Sequence, residues 1–182
     1  THEGLWSQLP GQPAEQVSDQ TFDVMSFAQT GDTMYASGHP GEGQDAPADL
    51  GLQTSTDQGR TWATVSLEGE VDFHRLRAEE TTVQGISAHD SKLLRSTDSG
   101  KTWTNFGSPS LFDFALDPND PEHLLGTQQS GPVRSTDAGA TFKPLQHVPL
   151  LALLAWTDNT LYAIAADGTV QTSTDSGDTA AA

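Results

Sequence analysis

The chain contains no cysteine. Disulfides, thiolate nucleophiles and cysteine metal sites are therefore excluded, and the redox compartment leaves no mark on the composition. Basic residues are scarce: Lys and Arg total 8 against 25 Asp and Glu, a formal net charge of −17 with a pI near 4.3. Such a chain repels phosphate backbones and anionic lipid, so no nucleic-acid partner is expected, while cations and basic partners are favoured. Long apolar runs are lacking too. The longest, residues 149–156, is far too short for a transmembrane segment. The opening residues, Thr1-His2-Glu3-Gly4-Leu5-Trp6, have neither the charged nor the apolar region of a signal peptide.

What is present is rich in turns but not disordered. Hydrophobic residues make up 34% of the 182, with 17 glycines and 10 prolines, yet 4 tryptophans and 7 phenylalanines can fill a core. The length suits a single domain, residues 1–182, that needs no covalent staple. An internal repeat decides the architecture. Four segments match: Ser55-Thr-Asp-Gln-Gly-Arg-Thr-Trp62, Ser96-Thr-Asp-Ser-Gly-Lys-Thr-Trp103, Ser135-Thr-Asp-Ala-Gly-Ala-Thr-Phe142 and Ser173-Thr-Asp-Ser-Gly-Asp-Thr179. Their aspartates, Asp57, Asp98, Asp137 and Asp175, lie 41, 39 and 38 residues apart.

Each residue type in the octad has a turn-forming reason. An Asp side chain accepts backbone N–H groups two residues on. The glycines Gly59, Gly100, Gly139 and Gly177 permit a positive φ. Ser and Thr hydroxyls satisfy further orphan backbone groups. Trp62, Trp103 and Phe142 open the next strand and point into a core. Because the pattern recurs in every unit, these aspartates read as structural groups and not as paired catalytic carboxylates.

The octad resembles the Asp-box, or BNR, repeat of sialidases, xyloglucanases, sortilin-type receptors and photosystem assembly-factor propellers. The resemblance implies an all-β chain, a β-propeller of four-stranded antiparallel blades with the box between the third and fourth strands. A period near 40 fits that architecture on its own terms. In this register the complete blades take strands at 22–28, 33–37, 50–55 and 61–67, then 71–77, 82–88, 92–96 and 102–106, then 111–116, 124–127, 132–135 and 141–145. A last blade has strands at 150–156, 161–165 and 169–173, and its box carries Ala180 where an aromatic belongs. A first blade keeps only 4–8 and 14–17. Five blades are expected, the first and last incomplete.

Propellers take ligands on the face away from the boxes, at the mouth of the channel, where second strands end and innermost strands begin. His2, His39 and His89 fall at second-strand ends, and His74 opens an innermost strand beside Asp72. Four of six histidines thus share one face, and His123 and His147 stand apart, His123 in a loop on the box face. Imidazoles with carboxylates suit a divalent metal, Zn²⁺ or Cu²⁺, with Asp72 orienting a ring from behind. Asp23 and Asp113 begin other innermost strands. The loop 38–49, the longest break in the repeat, adds Glu42, Asp45 and Asp49 to the same mouth.

The wider resemblance is to bacterial envelope proteins labelled sialidase-like or glycosyl-hydrolase-like, which implies an extracellular or envelope location. Sialidases need an arginine triad, a Tyr–Glu pair, an acid Asp and an Arg-Ile-Pro element. The last is absent here, and Arg60, Arg95 and Arg134 lie in or next to the boxes, towards the wrong end. The expected function is a non-catalytic binding or scaffold module with a protein or carbohydrate ligand. A glycoside hydrolase using Asp23, Asp72 or Asp113, and an accessory subunit of an envelope complex, are the alternatives.

Overall fold

The computed structural model describes residues 3–177. Among them every regular element is a strand, in chain order β1 (Trp6–Ser7), β2 (Glu15–Gln16), β3 (Phe22–Thr30), β4 (Thr33–Pro40), β5 (Leu52–Ser55), β6 (Ala63–Ser66), β7 (Phe73–Glu79), β8 (Thr82–Ser87), β9 (Leu93–Ser96), β10 (Thr104–Asn105), β11 (Asp113–Asp117), β12 (Asp120–Gln128), β13 (Gly131–Ser135), β14 (Lys143–Pro144), β15 (Leu151–Thr157), β16 (Thr160–Ala165) and β17 (Val170–Ser173). Consecutive strands pair antiparallel in sheets β1-β2, β3-β4-β5-β6, β7-β8-β9-β10, β11-β12-β13-β14 and β15-β16-β17. The order and the number of strands in each sheet match the register read from the repeat. Ala180 lies outside the described residues.

The chain forms two compact units, divided between Asn105 and Phe106. In the first, the inner strands of two adjacent sheets face each other. Leu52, Phe73 and Val83 are fully buried there, with Tyr35, Leu76 and Leu94 around them. Trp103 tilts against Phe73 at 5.1 Å between ring centroids, and Trp62 meets Phe22 edge-on at 5.6 Å. Strand β8 is buried along its whole length, as a central strand covered on both faces must be. In the second unit Ala115, Leu125, Leu151, Leu154, Leu161 and Ala163 make the corresponding core.

The octads fold into one repeated turn. The Ser Oγ of Ser55, Ser96, Ser135 and Ser173 accepts the N–H of the glycine four residues on, at 2.8–2.9 Å. The same hydroxyl donates to the aspartate, at 2.6–2.8 Å. Asp57, Asp98 and Asp137 then take the backbone N–H and the hydroxyl of Thr61, Thr102 and Thr141. The aspartate therefore reaches four residues forward, not two, because the serine spans the start of the turn. The turn also needs two successive left-handed residues, and Gln58, Ser99, Ala138 and Ser176 adopt φ of 57–64° ahead of each glycine. Hydrogen bonds from Thr61 and Ser55 hold Asp57 down at about 2, and those from Thr141 and Ser135 do the same for Asp137. Asp98 is pushed well below the usual carboxylate range by Thr102 and Ser96.

Two placements differ from expectation: residues 38–40, expected in a loop, continue strand β4, and His123 leaves its expected loop. His123 sits within strand β12 instead of a loop, because β12 begins at Asp120, directly after a tight turn.

Candidate functional site

In the first unit, β4 ends at His39 and Pro40, with His39 opposite Asp23 of β3. The neighbouring pair is Gly38 and Val24, and a Cβ on Gly38 would fall 1.8 Å from the Asp23 carbonyl oxygen. Only glycine lets the two backbones approach this closely one residue before His39. The loop that follows is tied down along its length. Gln44 donates to the Thr21 carbonyl at 2.6 Å, Leu50 N–H to Gly38 at 2.9 Å, and Gly69 N–H to the Asp49 carbonyl at 2.8 Å. The loop thereby brings the Ala48 carbonyl 2.9 Å from His39 Nδ1 and Asp49 Oδ1 4.0 Å from the same nitrogen.

The second element is the start of β7. Phe73 points into the core, so Asp72 and His74 on either side turn the other way. The register with β8 slips between Phe73 and Arg75, leaving His74 as the extra residue of a β-bulge. A bulge bends its strand and re-aims the side chain it carries. His74 Nε2 comes 2.7 Å from Asp72 Oδ2, and His39 Nε2 comes 3.4 Å from the same oxygen. Asp72 is only 2% exposed. The third element is the end of β8, after which His89 Nε2 lies 3.0 Å from Asp49 Oδ2. Close contacts thus link five side chains in succession, His74, Asp72, His39, Asp49 and His89. His39, Asp72 and His74 each offer a ligand atom, all within 4.8 Å of one another.

Of the residues singled out in the sequence, His39, His74, His89, Asp72 and Asp49 meet here. Asp72 Oδ2 lies against both His39 and His74, because the bulge carries His74 around to its carboxylate. His89 pairs with Asp49 and lies outside the three-donor group. Asp23 is backbone-paired to His39. Glu42 and Asp45 are exposed on the loop. Asp113 belongs to the second unit, where its Oδ2 accepts the Leu154 N–H at 2.8 Å and ties β11 to β15. His2 lies outside the described residues. Two features carry no sequence signal of their own: the Ala48 carbonyl, and the bulge, which depends on cross-strand register.

No protein-family model matches the chain, and no curated protein matches it in sequence. Solved structures do. A GH74 enzyme of Niastella koreensis superposes with a TM-score of 0.63 at 20% identity, over 86% of this chain and 23% of that one. YCF48 bound to D1 peptide gives 0.55 at 15%, over 87% and 52%. The WD40 β-propeller domain of Doa1 gives 0.56 at 12%, over 93% and 57%. The fold is that of a β-propeller. At these identities the fold is all that is shared, and this propeller chain spans between about a quarter and just over half of those chains.

Proposed function

We propose that the chain is a non-catalytic binding module, exported to the envelope or beyond, which takes a basic segment of a protein partner on the rim built by His39, Asp49, Asp72, His74 and His89. The two-stranded and three-stranded sheets are partial blades in this reading, and the octads are the Asp boxes of the repeat. The observation that carries it is the convergence of these five side chains, from the ends of two strands, the start of a third and a pinned loop. The surrounding charge has the matching sign: Glu42, Asp45 and Asp49 sit on that loop in a chain of net charge −17. That YCF48 was solved with a peptide supports a peptide as the kind of ligand such a fold accepts.

A glycoside hydrolase reading draws on the GH74 neighbour, but needs two carboxylates flanking a cleft. Asp72 and Asp113 are both buried, one packed against two imidazoles and the other bonded to backbone. The test is a selection of displayed random peptides on the immobilised chain. Peptides rich in Lys and Arg should emerge, and Asp49→Asn with His89→Gln should weaken them about tenfold or more. Selected peptides without basic residues, or indifferent to those substitutions, refute the rim as the working surface. Turnover of aryl-glycosides would establish the enzyme instead.

A further inference from the structure

We infer that His39, Asp72 and His74 form a site for one divalent transition-metal ion of the Zn²⁺ or Cu²⁺ class. The inference rests on reading this rim as the working surface and names what anchors it.

A backbone carbonyl only accepts, so the hydrogen of neutral His39 sits on Nδ1, facing Ala48 at 2.9 Å. Its Nε2 therefore carries the lone pair, and that lone pair faces the Asp72 carboxylate at 3.4 Å. His74 Nε2 is closer, 2.7 Å from the same oxygen. It is a buried nitrogen with no hydrogen-bond partner among the described residues. Asp72 Oδ1 is likewise buried with no partner. A carboxylate 2% exposed costs several kcal/mol unless a cation or donors compensate it. Here three ligand atoms lie within 4.8 Å of one another around a buried carboxylate whose other oxygen has no hydrogen-bond partner, an arrangement that a cation completes.

The spacing fits. An ion about 2.1 Å from two ligands at the tetrahedral angle sets them about 3.4 Å apart. His39 Nε2 and Asp72 Oδ2 already stand 3.4 Å apart, and His74 reaches the same spacing by a move of under about 1 Å. Two imidazoles and one carboxylate select a borderline ion such as Zn²⁺ or Cu²⁺ over Mg²⁺ or Ca²⁺, which take oxygen ligands. The Ala48 carbonyl behind His39 is the outer partner that fixes a ligating ring. Side-chain exposures of 37% for His39 and 40% for His74 leave the ion open on one side, where a donor from the bound segment or water completes it.

The probe is Zn²⁺ alone, titrated calorimetrically into untagged, chelator-stripped chain, with Co²⁺ absorption as a second readout of a nitrogen- and oxygen-ligated ion. One ion per chain is expected, with neither Mg²⁺ nor Ca²⁺ competing. His39→Ala and His74→Ala are both at half-exposed positions and should fold. Each should weaken Zn²⁺ by more than the roughly 10–100-fold that loss of an outer partner costs. His147→Ala, in the other unit, should leave the affinity unchanged. Zn²⁺ binding that survives both rim substitutions, or no binding at all by the wild-type chain, overturns the metal site. If peptide capture still depends on the rim while Zn²⁺ does not bind, only this inference fails. If Zn²⁺ binds as described and peptide capture ignores the rim, only the proposed function fails.

Discussion

Replacing Ser96 by Ala should cost about 1–3 kcal/mol, more than any other single hydroxyl in its turn. Ser96 is 1% exposed, and its Oγ takes the Gly100 N–H at 2.8 Å while donating to Asp98 at 2.7 Å. Gly100 is buried, and its N–H reaches the Ser96 hydroxyl away from solvent. The alanine therefore leaves a buried donor unpaired, and the cost of that orphan, not the loss of one net hydrogen bond, sets the magnitude. Trp103 supplies the assay. Its indole N–H bonds the Gly100 carbonyl at 3.0 Å and Ser66 Oγ at 2.9 Å, so in a chain whose other three tryptophans are replaced by Phe its fluorescence reports the turn. In urea the midpoint should fall with the slope unchanged, and the melting temperature should drop by roughly 2–4 °C per kcal/mol. Thr97→Ala, one residue along and exposed, is the control and should stay within about 0.5 kcal/mol. A Ser96→Ala effect as small as the control would refute the view that the serine holds the turn.

Two further predictions concern acid and the strand pair beside the site. Asp57 and Asp137 are held down at about 2 in the fold, against an ordinary value of 3.8, and Asp98 is likewise pushed well below its ordinary value. Between those values the unfolded chain binds more protons, so the contribution of these carboxylates is fully present above about pH 5 and is lost as pH falls from about 4 towards 2. Thr61→Val removes the hydroxyl bond that does most to lower Asp57, so it should lower stability at neutral pH and shrink the loss between pH 4 and 2, read by denaturation at a series of pH values. A stability profile flat from pH 4 to 2 would contradict this. Gly38→Ala forces a methyl into the Asp23 carbonyl, so β3 and β4 must part next to His39. It should destabilise by about 1–3 kcal/mol and weaken Zn²⁺ together, whereas Gly31→Ala, in open space, should not weaken Zn²⁺. Unchanged stability of Gly38→Ala would show that the close approach is not needed.

Much of the fold was legible because its signals are local. The octad encodes its own turn in side chains within four residues of each other, and strands such as β3 and β16 alternate buried and exposed residues. The repeat then supplied the register for every sheet, including the short strands β10 and β14, which have no pattern of their own. Asp57 reaches on to Thr61, four residues ahead, because the serine, not the aspartate, closes the first half of the turn.

The candidate site divides the same way. Counting positions along each blade was enough to put His39, His74, His89 and Asp72 at one rim, since strand ends follow directly from strand order. That His74 and His39 share one carboxylate oxygen was decided by tertiary structure: by a bulge that slips the β7 register, and by a loop that returns the Ala48 carbonyl to His39. Asp113 shows the converse, since its position in the blade is like that of Asp72 but its carboxylate is consumed by the Leu154 N–H. Spacing along a chain sets which end of a strand a residue occupies; the neighbouring backbone sets which atoms its side chain meets, and hydrogen-bond partners 40 residues away are not written in any local pattern.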